Sequence, residues 1–290
     1  MSELKKYLED CAQAIEKTLD EIMPKETDYP QTIHNVMRYS TFAGGKRIRP
    51  VLVLAANEAC GQSFANKNAC LAGAAIEMLH TFSLIHDDLP SIDNDDLRRG
   101  RPTAHKVFGE GVAILGGDAL CIFAYEILAR IGNIKIIEVI SQALGTQGMI
   151  GGEFIDVESE GKDVDLRTVE YIHNGKTAAL FRASMVIGAL IAGASEEKIA
   201  ALSEYGTAIG LAFQVVDDIL DITATSEQLG KSAGKDIQSK KATYPSIIGL
   251  EKSKEYAKEL TQKAKKSVAS FGKKANMLIE IADYLEERIN

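Results

Sequence analysis

Apolar residues return every three or four positions along nearly the whole chain, and this periodicity is the strongest constraint on what it can fold into. Between residues 2 and 23, Leu4, Leu8, Cys11, Ile15, Leu19 and Ile22 fall on one stripe of an amphipathic helix. The same spacing predicts helices over about 31–42, 51–60, 67–88, 111–131, 134–158, 165–173, 177–193, 196–224, 246–271 and 273–288. No convincing period-two alternation marks a strand. The prolines at 24, 30, 50, 90, 102 and 245 lie between these segments or at their edges, where a missing N–H and a fixed φ do least damage. There is no Ser/Gly-rich linker and no shift in composition, so residues 1–290 read as a single all-α domain, a large helical bundle. Segments 67–88, 111–131 and 177–193 carry few charges and are expected at its centre.

Whole-chain figures exclude several classes. With 290 residues, 46% hydrophobic and 26% charged, the chain is long enough to bury a large core. No run approaches the ~18 uninterrupted apolar residues of a membrane span. The opening "MSELKKYLEDCAQ" alternates charges where a signal peptide has an apolar segment, so a cytoplasmic protein without a membrane span is expected. A net charge of −8 counts against a nucleic-acid surface, which needs an excess of Lys and Arg. Cys11, Cys60, Cys70 and Cys121 form no Cys-x-x-Cys pair and sit in apolar segments, as buried thiols do.

Two helical segments end in acids. "LAGAAIEMLHTFSLIHDD" (71–88) and "YGTAIGLAFQVVDDILD" (205–221) both run through small and apolar residues into an Asp-Asp pair. Asp217 and Asp221 are i and i+4, on one helical face and about 6 Å apart along the axis. Pro90 disfavours a helical Leu89, so the first helix ends there and Asp93 belongs to a turn that can fold back toward Asp87. Carboxylates gathered at helix C-terminal ends repel each other and face the negative end of the helix dipole. Both penalties vanish when a hard cation with oxygen ligands, such as Mg²⁺, sits among them.

Basic clusters lie close to these acids in the chain. "GGKRIRP" (44–50) and "LRRGRP" (97–102) are rich in positive charge within an acidic protein. Mg²⁺ with nearby Lys and Arg holds phosphates, and guanidinium groups bind their oxygens in forks. The P-loop pattern Gly-x-x-x-x-Gly-Lys-[Ser/Thr] is missing, so a nucleotide site of that type is not indicated. Apolar helices leading into a metal-phosphate mouth imply a ligand with a diphosphate head and an apolar tail, the chemistry of a prenyl diphosphate.

At this point the chain resembles the trans-isoprenyl diphosphate synthases, most closely the bacterial farnesyl diphosphate synthases. The resemblance rests on "GGKRIRP", "HTFSLIHDDLPSIDNDDLRRGRPTAH", "ILGGDAL", "GKTAALFRA", "GLAFQVVDDILD" and "LGKSAGKDIQSKKATYP", which occur in the family's order. It implies a helical bundle around a central cavity, a homodimer, and several Mg²⁺ ions per site held by Asp87, Asp93 and Asp217 with Asp88 and Asp221 assisting. Arg98, Lys176, Lys231 and Lys241 match positions that contact the diphosphate of an allylic substrate, dimethylallyl or geranyl diphosphate. Gly45, Lys46, Arg49, His80 and Arg99 match the site for isopentenyl diphosphate. Thr177 and Gln214 match residues near the carbon that becomes cationic. The implied reaction is ionisation of the allylic diphosphate, attack by the isopentenyl double bond, and loss of a proton. A terpene cyclase, a silent partner subunit and a non-enzymatic cation binder are the alternatives, and each leaves some of these residues idle.

Other polar residues read more plainly. Lys176 follows Gly175 at an expected helix start, where exposed N–H groups favour an anion. His86, Lys235, Lys240, Asp95 and Asp96 read as structural or solvated, and "GGEFID" (151–156) resembles family sequence without a catalytic part assigned to it. Ser83 and Phe82 stand four and five residues before Asp87, and by the resemblance an aromatic residue at 82 floors the pocket. Farnesyl diphosphate is the expected main product, with geranylgeranyl diphosphate the alternative.

Overall fold

Capping side chains set several helix starts that periodicity only brackets. A computed structural model describes residues 2–223 and 243–288. Ser2 accepts a hydrogen bond from the Lys5 N–H at the start of α1 (Glu3–Ile22), and Asn66 does the same for Asn68 and Ala69 at the start of α4 (Lys67–Asp87). Between them lie α2 (Gln31–Thr41) and α3 (Ile48–Ala59), and after a short hairpin come α5 (Ala104–Phe108), α6 (Glu110–Arg130), α7 (Ile134–Leu144), α8 (Met149–Ser159) and α9 (Leu166–Ile172). A π-helical turn, His173–Ala178, joins α9 to α10 (Ala179–Ile191) without a break. Then follow α11 (Glu196–Thr223), α12 (Tyr244–Ile248), α13 (Leu250–Ser267), a 3₁₀ segment (Ala269–Ala275) and α14 (Asn276–Glu287).

The all-α bundle is as expected, with local differences that glycine explains. The predicted helix 134–158 is two helices, because Gly145 leaves helical geometry after α7 and the chain restarts at Met149. Segment 246–271 is likewise divided at Gly249, whose φ of 87° a residue with a Cβ rarely adopts. Leu97–Arg98 pairs antiparallel with Arg101–Pro102, a strand pair too short to leave a period-two signal.

The core lies where α3, α4 and α10 meet α11. Leu52, Leu54, Ile76, Met78, Leu79, Phe181, Ile187 and Ile209 are all inaccessible to solvent. α4 and α10 are central as predicted, and α3 takes the third central place. A smaller cluster of Val169, Val215, Val216, Ile219, Tyr244 and Leu260 joins α9, α11, α12 and α13 on the other side of α11.

Although no uninterrupted apolar run of membrane length occurs in the sequence, α4, α6 and α11 are each long and apolar enough on average to cross a membrane. α4 and α11 bury 72% and 56% of their apolar windows inside the protein, whereas α6 buries 39%. The expected central helix α6 therefore turns Ile114, Leu115 and Ile122 outward, the last at 70% exposure.

Tyr205 ties α11 to the C-terminal helix. Its buried hydroxyl donates to the Leu278 carbonyl at 2.6 Å. Tyr205→Phe is expected to lower the unfolding free energy by about 1–2 kcal/mol in urea denaturation while leaving turnover unchanged.

Candidate active site

The acidic end of α4 is shaped by a turn that closes on itself. The Asp93 N–H donates to the Asp87 carbonyl at 2.8 Å and the Asp95 N–H to the Asp88 carbonyl at 3.1 Å, so Asp93 does fold back beside Asp87. Asn94, with φ of 50°, supplies the left-handed residue that reverses the chain. Burial and the nearby Glu153 push the Asp87 carboxyl up to about 8, and Lys176 only partly offsets them. Asp88 is buried, and its Oδ1 accepts from Arg98 Nε at 3.0 Å and from Nη2. Burial opposes the Arg98 charge, yet Asp88 and Asp95 hold its pKa above the ordinary range.

The hairpin after this turn sends two neighbouring guanidinium groups in opposite directions. Its two turn residues, Arg99 and Gly100, have φ of 54° and 75°, as a two-residue hairpin of matched twist requires. Arg98 points back to the acids, while Arg99 crosses to the glycine loop and donates from Nη1 to the Gly44 carbonyl. A side chain at Gly45 would collide with the Arg99 guanidinium, so the glycine permits this close approach.

Arg49 and His80 meet below this loop. Arg49 Nη1 lies 3.2 Å from His80 Nε2 and its guanidinium stacks on Phe181 at 4.8 Å. Guanidinium has only donors, so Nε2 accepts and the imidazole is neutral. Burial, then the charge of Arg49, holds the His80 pKa well below its ordinary value. Lys46 stands where both Arg288 and Asp217 influence its charge, and burial lowers its pKa.

Lys176 is not at a helix start. It lies inside the π-helical turn, whose backbone presses directly on α8: a side chain at Gly152 would overlap the Lys176 nitrogen, and one at Gly175 the Gly148 carbonyl. The Lys176 backbone is therefore not a set of free N–H groups, and its side chain is what enters the site. Its Nζ sits 2.6 Å from Asp156 Oδ2 and 2.8 Å from Glu153 Oε2. Burial opposes this charge, but Asp156, Glu153 and Asp87 raise the Lys176 pKa well above the usual lysine range. Glu153 and Asp156 belong to the stretch that carried no assigned part. Their i, i+3 spacing on one helical face was the available signal.

α11 supplies the opposite wall. Thr177 Oγ1 donates to Gln214 Oε1 at 2.8 Å, Gln214 Nε2 donates to Asp218 Oδ1 at 2.9 Å, and Asp218 Oδ2 accepts from the Tyr244 N–H at 3.1 Å. The chain of bonds fixes which way the Gln214 amide faces. Asp218, passed over in the sequence for Asp217 and Asp221, is the residue that orients it. Asp217 lies 3.6 Å from Arg288 Nη1, a pairing across 71 positions that no local pattern announces. Asp221 is buried at 3% exposure. Lys231 and Lys241 lie outside the described residues.

Among the described residues, no three acidic, histidine or cysteine side chains converge closely enough to enclose an ion. The carboxylates nonetheless suit a hard cation chemically: all donors are oxygen, and Asp87 is ionised only against burial and a neighbouring Glu.

This geometry places an acid-lined half and a base-lined half on either side of one hairpin. The polyprenyl synthetase family profile matches residues 30–281. The chain belongs to that family. As a polyprenyl synthetase it is a prenyltransferase. It is 48% identical to the chloroplastic geranylgeranyl pyrophosphate synthase of Capsicum annuum, over 98% of this chain and 78% of that one. The geranylgeranyl pyrophosphate synthetase of Pyrococcus horikoshii superposes with a TM-score of 0.89 at 31% identity, covering 98% of both chains. An FPP/GFPP synthase of Zymomonas mobilis gives 0.85 at 37%, covering 97% of this chain and 98% of that one.

The raised Asp87 value has a sign that can be measured. A carboxyl whose folded-state pKa lies above its ordinary 3.8 favours folding fully at low pH, and that contribution is lost as pH rises toward about 8. Asp87→Asn is therefore expected to raise Tm in EDTA at pH 8, by about 2–4 °C for each kcal/mol of relief, with the gain shrinking toward pH 4. The same substitution should lower turnover by several orders of magnitude.

Proposed function

We propose that this polyprenyl synthetase condenses isopentenyl diphosphate with an allylic diphosphate in a Mg²⁺-dependent reaction whose main product is geranylgeranyl diphosphate. The observation that carries the two-diphosphate reading is the hairpin turn, which directs Arg98 to the acids and Arg99 to the Gly44–Lys46 loop. A cyclase has no need of the second, base-lined half. Asp87, Asp93 and Asp217, with Asp88 and Asp221 beside them, would hold the Mg²⁺. Bound there, Mg²⁺ would supply positive charge that offsets the negative charge gathering on the departing diphosphate.

The chain's own residues account for the rest. Lys176 and Arg98 add fixed positive charge where the diphosphate leaves, an effect greatest for charge that develops in the transition state. Lys46, Arg49 and Arg99 bind the second diphosphate, and neutral His80 orients Arg49 by accepting its hydrogen bond. The Thr177–Gln214 bond holds an oriented dipole beside the reacting carbon. The apolar walls of α4, α6 and α10 keep water from quenching the allylic cation.

Product length reverses the order of the two sequence-based readings. Phe82 rests edge-on against His86 with ring centroids 5.5 Å apart, and His86 Nε2 lies 3.0 Å from the Ile114 carbonyl on α6. Both side chains stand to one side of the stripe that carries His80, Ser83 and Asp87, since five residues back along a helix is a rotation of about 140° away from Asp87. Such a ring is poorly placed as a floor. The names of the Capsicum annuum and Pyrococcus horikoshii relatives support twenty carbons over fifteen. The outward apolar side of α6 supports a homodimer in which a second copy covers Ile114, Leu115 and Ile122.

Incubation with Mg²⁺, labelled isopentenyl diphosphate and each allylic primer, followed by chromatography of the dephosphorylated alcohols, should give a twenty-carbon product. A fifteen-carbon limit that Phe82→Ala extends would restore the farnesyl reading. Leu115→Asp combined with Ile122→Asp is expected to halve the mass seen by light scattering, and an unchanged mass would place the contact elsewhere.

A further inference from the structure

Beneath the base-lined half of the site lies a buried ion pair that the reaction does not use. Arg47, between Lys46 and Arg49 in the glycine loop, adopts a left-handed backbone with φ of 52° at the start of α3. Its guanidinium turns inward and is 1% exposed. Nη1 donates to Glu77 Oε1 at 2.6 Å, and Nη2 donates to the Thr41 carbonyl at 2.8 Å and reaches Glu16 at 3.5 Å. Glu77 is itself 2% exposed and stands on α4 one turn before His80. A single carboxylate thus anchors the loop carrying Lys46 while sitting directly under the Arg49–His80 contact.

The same carboxylate faces more than its direct partner. Burial pushes the Arg49 guanidinium down to about 10, and the charge of Glu77 is the foremost influence working against that. Burial also lowers Arg99, with Glu77 again the opposing charge. Arg47, Arg49 and Arg99 would repel one another in a site that holds no anion, and Glu77 is the buried charge they share.

We propose that Glu77 is a positioning residue for the second diphosphate, clamping the Arg47 turn and holding Arg49 and Arg99 together before the substrate arrives. This rests on the reading that Lys46, Arg49, His80 and Arg99 bind isopentenyl diphosphate. Removing only the charge leaves Arg47 a buried cation without its counter-charge, which weakens the anchor of the turn that carries Lys46 and leads into Arg49. Among the described residues, no hydrogen bond or ion pair joins Asp88, Arg98 or Lys176 to this pair.

Steady-state kinetics with both substrates tests the assignment. Glu77→Gln should raise KM for isopentenyl diphosphate roughly tenfold or more, the loss expected for a hydrogen bond between charged groups, and leave KM for the allylic substrate within about twofold. Glu77→Asp, which keeps the charge, should recover part of that affinity. Unchanged or equally raised KM values in folded Glu77→Gln protein would overturn the proposal. Should that variant fail to fold, the double variant Arg47→Met/Glu77→Leu replaces the pair by apolar side chains without stranding a charge. A selective rise in KM there supports the positioning role, and a normal KM removes it. Lys46→Ala serves as the control for the underlying reading: if it leaves KM for isopentenyl diphosphate unchanged, the diphosphate assignment fails, whereas a rise with Lys46→Ala but none with Glu77→Gln sinks only the role of Glu77.

Discussion

Lys176 is shared by Glu153 and Asp156 at 2.8 and 2.6 Å, and the acidic side of the site depends on that half-buried cation. Glu153 and Asp156 both pair with it, and its charge also offsets the burial that raises the Asp87 carboxyl. The lysine reaches this place because α8 and the π-helical turn meet backbone to backbone through Gly152 and Gly175. Any side chain at either position would force the two elements apart. The packing of small residues is thus the direct cause of the electrostatics.

The site is divided by charge and by direction. A hairpin of four strand residues and two turn residues sits between the halves, and its left-handed Arg99 and Gly100 turn adjacent guanidiniums outward to opposite partners. Arg98 and Lys176 answer the acids around Asp87, Glu77 answers the guanidiniums on the other side, and Asp217 acts on Lys46 and Arg49 as well. On α11 a relay runs from Thr177 through Gln214 and Asp218 to the Tyr244 backbone, so the orientation of the Gln214 amide is decided at the start of α12.

Local features of the site were legible where they depend on neighbours in the chain. Pro90 ends α4, and the turn that follows returns Asp93 to the Asp87 carbonyl because only a few residues separate them. The i, i+4 relation of Asp217 and Asp221 is a property of any helix. Gly44 and Gly45, with φ of 88° and 121°, open the loop before the basic cluster. What escaped notice were residues whose importance comes from a distant partner: Glu77 beneath Arg47, Asp218 behind Gln214, Arg288 against Asp217, and the Glu153–Asp156 pair. Each looks in the chain like an ordinary charge on a helix.

Hydrophobic period, helix-ending prolines and long motifs are all read along the chain, and they carried the helical class, the single domain, the acidic helix ends and the family. Tertiary structure alone decided which charges answer one another and which way side chains face. Lys176 became a half-buried cation rather than a helix-start residue, the ring of Phe82 came to rest edge-on against His86, and α6 exchanged the centre for the outside. The physical reason is the same throughout. Burial and Coulomb interactions depend on separation in space, and a helix of fixed period can present any of its faces until its neighbours are packed against it.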